Sequence, residues 1–182
     1  MVRGRSHVAG VLLVGGSSRR FGSPKALARV GDEMLAERAY RVLEEAFERV
    51  IAVGKVGDAL PLPFAVLDDG SDERAAIVGV AAGLRLAAAD VCVVLPTDMP
   101  FVTAELLESL ADGVAELDAA VVPTGPLPGA YRHTALPVFE RRIAAGELRL
   151  QDALAGLHTR VVDADPALLR NINTPEDLRR TR

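Results

Sequence analysis

Val8-Ala9-Gly10-Val11-Leu12-Leu13-Val14-Gly15-Gly16-Ser17-Ser18-Arg19-Arg20-Phe21-Gly22-Ser23-Pro24-Lys25 is the stretch on which the fold turns. Seven apolar or small residues in a row, without polar alternation, mark a short strand buried on both faces. The segment after Val14 is unlike a hairpin turn. Gly15, Gly16 and Gly22 permit positive φ and close backbone approach to a ligand. Arg19, Arg20 and Lys25 supply charge. Three glycines and three cations within the eleven residues 15–25, directly after a buried strand, predict a phosphate cradle. Exposed amides form a nest, Arg binds phosphate through paired hydrogen bonds, and Lys acts as a mobile point charge. The spacing is neither a Walker A loop nor the dinucleotide fingerprint.

Downstream, apolar runs alternate with helical patterns. A helix is expected over 33–47, with Leu35, Ala39, Val42, Leu43 and Ala46 on its apolar face. Strands are expected at 49–53 and 64–67, a small-residue helix at 75–89, and a buried strand at 91–95. Thr103 should cap a helix through Leu117, with a strand at 119–122 after it. Residues 123–129 read as a Pro/Gly loop, 134–137 as a strand, 139–145 and 150–157 as helices, and 159–162 as a strand. Thr174-Pro175-Glu176-Asp177 is a strong helix start: an N-cap hydroxyl, Pro at the first position and acids in the first turn. This alternation predicts a three-layer α/β fold, a mostly parallel sheet with helices on both faces, in a single domain spanning 1–182.

Composition sets the bounds. The chain has 182 residues, 49% of them hydrophobic and only 4% aromatic, with no Trp. That favours a layered Ala/Val/Leu core. A net charge of −4 gives no general signal for nucleic acid, so any anion site must be local. The one cysteine, Cys92, lies in an apolar run, which suits a reducing compartment. The apolar N-terminal run with Arg3 and Arg5 before it imitates a signal peptide. It leads into glycines and arginines rather than a cleavage pattern, however, so a cytoplasmic protein with no membrane span is expected.

In open parallel sheets, ligands bind beyond the carboxyl ends of the strands. Asp68 and Asp69 follow the third expected strand there, and Thr97, Asp98 and Met99 follow the fourth. Pro96 and Pro100 flank Asp98 and restrict the backbone around it. A carboxylate so held beside a triphosphate suits Mg²⁺, which takes one or two carboxylates plus phosphate oxygens. Asp69 has Asp68, Asp72 and Glu73 as close competitors, and a run of acids is equally compatible with a solvated loop.

The residues 13–27, Leu-Val-Gly-Gly-Ser-Ser-Arg-Arg-Phe-Gly-Ser-Pro-Lys-Ala-Leu, resemble the signature loop of the molybdenum cofactor guanylyltransferases, the MobA family. Gly79-Val80-Ala81-Ala82-Gly83-Leu84 is similar to that family's Gly-Pro-Leu-Ala-Gly segment. Pro96-Thr97-Asp98-Met99-Pro100 is similar to its Pro-x-Asp-x-Pro element. Asn171-Ile172-Asn173-Thr174-Pro175-Glu176-Asp177-Leu178 is similar to its C-terminal Asn-x-Asn-Thr-Pro-Glu-Asp-Leu. The likeness extends along nearly the whole chain.

The resemblance implies a Rossmann-like sheet of the nucleotide-diphospho-sugar transferase type. It implies transfer of GMP from GTP to molybdopterin, with Mg²⁺ as cofactor and with molybdoenzymes or delivery proteins as possible partners. Leu13, Val14, Gly15 and Gly16 would meet the nucleotide, Lys25 the phosphates and Asp69 the nucleotide, while Asp98 would hold the metal. Lys25, Asp98 and Arg20 are the catalytic candidates. Gly79, Asn171 and Asn173 would serve the acceptor substrate, and Arg132 and His133 could face the acceptor phosphate. The chain departs from the family pattern at Val14, Phe21, Pro24 and Val80. No Asn follows the second strand, where Ala52-Val53-Gly54 stands. CTP-dependent molybdopterin cytidylyltransferases, sugar-phosphate nucleotidyltransferases and a non-catalytic nucleotide-binding module are the alternatives. The Gly15-Gly16 pair, with its room for a larger base, favours guanine.

Overall fold

A computed structural model describes residues 7–15 and 24–180. Its centre is a seven-stranded sheet in the order β5-β4-β1-β6-β8-β7-β9. The strands are β1 (Val8–Val14), β4 (Val50–Gly54), β5 (Val66–Asp68), β6 (Val91–Pro96), β7 (Ala119–Val122), β8 (Gly125–Arg132) and β9 (Thr159–Val161). All neighbouring pairs are parallel except the two made by β8. A two-stranded hairpin, β2 (Arg29–Val30) with β3 (Glu33–Met34), leads into the first helix.

Alternate residues of the central strands enter two separate cores. Val8, Leu12, Val93 and Leu95 pack with helices α1 (Leu35–Ala46) and α3 (Ala104–Val114). Ala9, Val11, Cys92 and Val94 pack with α2 (Ala76–Leu86), α4 (Leu136–Ala144) and α5 (Leu150–Ala153) on the other face. The face expected for α1 is the buried one: Leu35, Ala39, Val42, Leu43 and Ala46 are all in the core. Burying each such Leu or Val contributes about 1.5–3 kcal/mol, and this two-sided burial explains the unbroken apolar runs of β1 and β6.

Two expectations are corrected. Residues 123–129 are largely strand: β8 begins at Gly125. Pro126 and Pro128 disguise it, but they precede the residues that pair with β6, where the ladder starts at Gly129, so no bond to β6 needs a proline N–H. Residues 134–137 are not a strand. A 3₁₀ turn at His133–Ala135 runs straight into α4, and Pro137 occupies the helix's first turn, where its missing N–H costs nothing. The expected helix over 150–157 is α5 with a 3₁₀ turn at Leu154–Gly156 after it.

The connection leaving β1 leads to β4 on one side, and that leaving β6 leads to β7 on the other. The carboxyl ends of β1 and β6 therefore border a natural crevice.

Candidate active site

Asp98 stands just past β6, and its loop is clamped from two directions. Arg38 of α1 donates to the Pro100 carbonyl at 2.7 Å. From the C-terminal segment, the buried Ile172 donates its N–H to the Asp98 carbonyl at 2.8 Å, and the Arg170 guanidinium lies over the Phe101 ring. The prolines alone suggested a rigid carboxylate. The structure adds tertiary clamps that the local sequence could not reveal.

Lys25 opens a 3₁₀ turn, Lys25–Leu27, anchored by the buried Ala26. Its Nζ donates to Asp98 Oδ2 at 3.0 Å and to Asn173 Oδ1 at 2.9 Å. One ammonium thus joins three segments far apart in sequence. Asn173 is held by the start of α6 (Pro175–Arg179). Asp177 Oδ2 accepts from Asn173 N at 2.9 Å, Thr174 N at 2.8 Å and Thr174 Oγ1 at 2.9 Å, while Thr174 Oγ1 accepts from Asp177 N. The backbone N–H of Asn173 leads the contacts that hold the Asp177 carboxyl below its ordinary range.

The trio borders a hollow of 480 Å³, with Gly15, Thr97 and Asp58 also on its wall. A second hollow of 170 Å³ shares Gly15, Arg74 and Pro96 with it. Leu13, Val14 and Asp69 line this second hollow, so these expected nucleotide residues gather beside the expected phosphate residues, and Gly79, expected to serve the acceptor, lines it with them. Gly15 has φ +137°, a conformation that disfavours any side chain. Gly79 lets α2 pack on Leu13, since a Cβ there would come within 2.9 Å of that side chain.

Asp69 is buried at 7% exposure, and its Oδ1 accepts from Lys55 Nζ at 2.7 Å and Ser71 N at 3.1 Å. Its neighbour Asp68 is exposed and tied to backbone. The N–H groups of Gly70 and Val56 hold its carboxyl below the usual range. Of the two adjacent acids, Asp69 is the one that lines the smaller hollow.

Not every expected residue joins the site. Asn171 is exposed and is not on the wall of either hollow. Gly16 and Arg20, with Arg19 and Gly22, lie outside the described residues. Arg132 and His133 are at the opposite edge. β8 runs antiparallel to β6, and its register pairs Arg132 with Val91, at the start of β6. Arg132 there binds the carbonyls of Leu117 and Ala115. The misreading of β8 as a loop concealed this reversal.

Lys55, Arg74 and Asp58 were missed. Lys55 directly follows β4, so the strand-end rule could have found it one residue beyond Gly54. Arg74 makes a two-pronged bond to Asp58, at 2.6 and 3.0 Å, which only the tertiary structure reveals. The Arg74 guanidinium is the main cause holding the Asp58 carboxyl below its ordinary range. Among the described residues no group of three or more His, Cys, Asp or Glu could hold a metal by itself.

Residues 10–165 match the model of the MobA-like NTP transferase domain. The chain is 35% identical to a probable molybdenum cofactor guanylyltransferase of Chloroflexus aggregans, over 94% of this chain and 92% of that one. It is 33% identical to a protein of the same name from Pelotomaculum thermopropionicum, over 95% and 91%. Among solved structures, molybdopterin-guanine dinucleotide biosynthesis protein A of Archaeoglobus fulgidus superposes with a TM-score of 0.81 at 27% identity, covering 95% of this chain and 96% of that one. With its site built at the carboxyl ends of β1, β4, β5 and β6, the chain belongs to the MobA-like NTP transferase family.

Proposed function

We propose that this protein transfers GMP from GTP to molybdopterin, yielding molybdopterin guanine dinucleotide and pyrophosphate. The observation that carries the proposal is the Lys25 ammonium, bridging Asp98 and Asn173 at a hollow that shares Gly15, Arg74 and Pro96 with a smaller one. The names of the relatives agree with it.

A phosphate oxygen of molybdopterin attacks the α-phosphorus of GTP. A new P–O bond forms, and the bond to the β-phosphate oxygen breaks, releasing pyrophosphate. The attacking oxygen is already anionic, so no general base is required. Catalysis rests on alignment and on neutralising charge. Lys25 is the group to meet the phosphates, with Arg20 as a second cation. Leu13, Val14, Gly15, Gly16 and Asp69 form the nucleotide side. Asn173, beside Lys25, is the residue for the acceptor side, whereas Gly79 lines the nucleotide hollow and Asn171 lines neither.

The donor set suits Mg²⁺. Asp98 is one partly exposed carboxylate, 27% accessible, beside a roomy hollow. A lone carboxylate makes a poor cage by itself but a good partner for an ion that also takes phosphate oxygens. When bound, Mg²⁺ supplies charge neutralisation on the triphosphate. Asp98 would hold it, and Lys25 would exchange its bond to Asp98 for one to phosphate. The proposal includes a cytoplasmic location, supported by the single buried thiol of Cys92. It treats 1–182 as one domain, supported by a sheet drawn from residues 8–161. It also includes hand-over of product to molybdoenzymes or delivery proteins.

Pyrophosphate release with molybdopterin and either GTP or CTP is the test. Release with GTP alone is expected. Release with CTP alone would establish the cytidylyl alternative, and release with neither would sink both.

A further inference from the structure

Of the thirteen described residues that line the 170 Å³ hollow, only Lys55, Asp69 and Arg74 have polar side chains. Arg74 is half exposed and turned to Asp58. Lys55 and Asp69 are the buried pair, with side chains 14% and 8% exposed. Two of the three ammonium N–H groups of Lys55 are engaged, by Asp69 Oδ1 and the Ser71 carbonyl. Among the described residues, Asp69 Oδ2 accepts no hydrogen bond. The pair therefore retains one donor and one acceptor oxygen beside a hollow whose lining is otherwise apolar apart from Arg74, which is turned to Asp58.

Stability does not explain such a pair. Desolvating two charges offsets most of their attraction, and apolar residues of similar size would serve packing as well. Recognition does explain it. The Watson–Crick edge of guanine sets the O6 acceptor beside the N1–H and N2–H donors. An ammonium beside a carboxylate is its complement. Adenine has an amino donor where guanine has O6, and no N1–H for the carboxylate.

Resting on the guanine-nucleotide function proposed above, we infer that Lys55 determines base specificity by donating to the O6 keto group, with Asp69 holding it and accepting from the imino edge. Lys55 reaches this hollow from directly behind β4. Its neighbour Gly54 allows β4 to approach β1 closely, because a Cβ there would collide with the Val14 carbonyl.

The test is calorimetric binding of GTP, 6-thio-GTP, ATP and CTP to the full chain and to Lys55→Met, with Mg²⁺ present. Sulfur at position 6 removes the strong acceptor and leaves N1–H and the 2-amino group intact. The wild type should bind GTP tighter than 6-thio-GTP and ATP by on the order of ten- to a hundredfold, the worth of one charge-assisted hydrogen bond. In Lys55→Met the affinities for GTP and 6-thio-GTP should converge, while ATP, which lacks the N1–H that Asp69 accepts, should stay weaker. A Lys55→Met protein with a cooperative melt that still prefers GTP over 6-thio-GTP would overturn the assignment. Equal binding of GTP and 6-thio-GTP by the wild type would overturn it even if the variant does not fold. In that case, GMP transfer from GTP would leave the guanylyltransferase proposal standing. A wild-type preference for CTP would overturn both.

Discussion

Lys25 and Asp98 are 73 residues apart, yet their charged atoms meet at 3.0 Å. At this scale the sequence was informative about chemistry and silent about pairing. Glycine and charge density singled out Lys25, and flanking prolines singled out Asp98. Their bond to each other and to Asn173 depends on three loops converging at one sheet edge. Lys25→Ala and Asp98→Asn should each lower the rate of GMP transfer about a hundredfold or more, with an unchanged circular-dichroism spectrum. Near-parental rates in both would remove these residues from the mechanism. Asn173→Ala should have a smaller effect, on the order of tenfold, because a neutral hydrogen bond contributes about 0.5–1.5 kcal/mol. Steady-state kinetics across the three variants checks the ranking.

Single elements hold these residues in place. β4 ends in Gly54 because the Val14 carbonyl of β1 occupies the space a side chain would need. Backbone cannot yield as a flexible side chain can, so Gly54→Ala should destabilise the protein by about 1–3 kcal/mol, read as a lower urea midpoint. A midpoint within error of wild type would mean the strands can part freely. At the other end of the chain, the Thr174–Asp177 box positions Asn173. The Asp177 carboxyl ionises below its ordinary range, chiefly through the Asn173 N–H. The box is therefore complete above the unfolded aspartate range and is lost as pH falls through the lowered value. Protection of the Asn173 and Thr174 amides, taken relative to their intrinsic exchange rates, should fall on acidification in that window, earlier than protection in β1. Equal loss of protection in both would indicate global unfolding instead. The helix start was legible from Thr174-Pro175-Glu176-Asp177, whereas β8 was not, because its leading prolines carry the composition of a loop.

For the molecule as a whole, two cores lie back to back, and the one beneath α2 holds Cys92, which is fully buried and donates weakly to the Gly83 carbonyl. Burial pushes its thiol up to about 12. A neutral, inaccessible thiol is inert, so alkylation at pH 8 should be negligible in the native state and should track global unfolding across a denaturant series. Rapid labelling without denaturant would mean that β6 opens locally. No described helix is long and apolar enough to cross a membrane.

Composition and periodicity by themselves determined the layered α/β class, the buried strands β1 and β6, the apolar face of α1, and the strand ends where ligand chemistry collects. Those features are local: they depend on side-chain size, polarity and spacing along one segment. The tertiary structure alone decided which strand neighbours which, that β8 reverses and carries Arg132 to the far edge, that Asn173 closes on Lys25, and that Lys55 pairs with Asp69 beneath the smaller hollow. Such contacts join residues tens of positions apart. They are set by packing and register, which no single segment encodes.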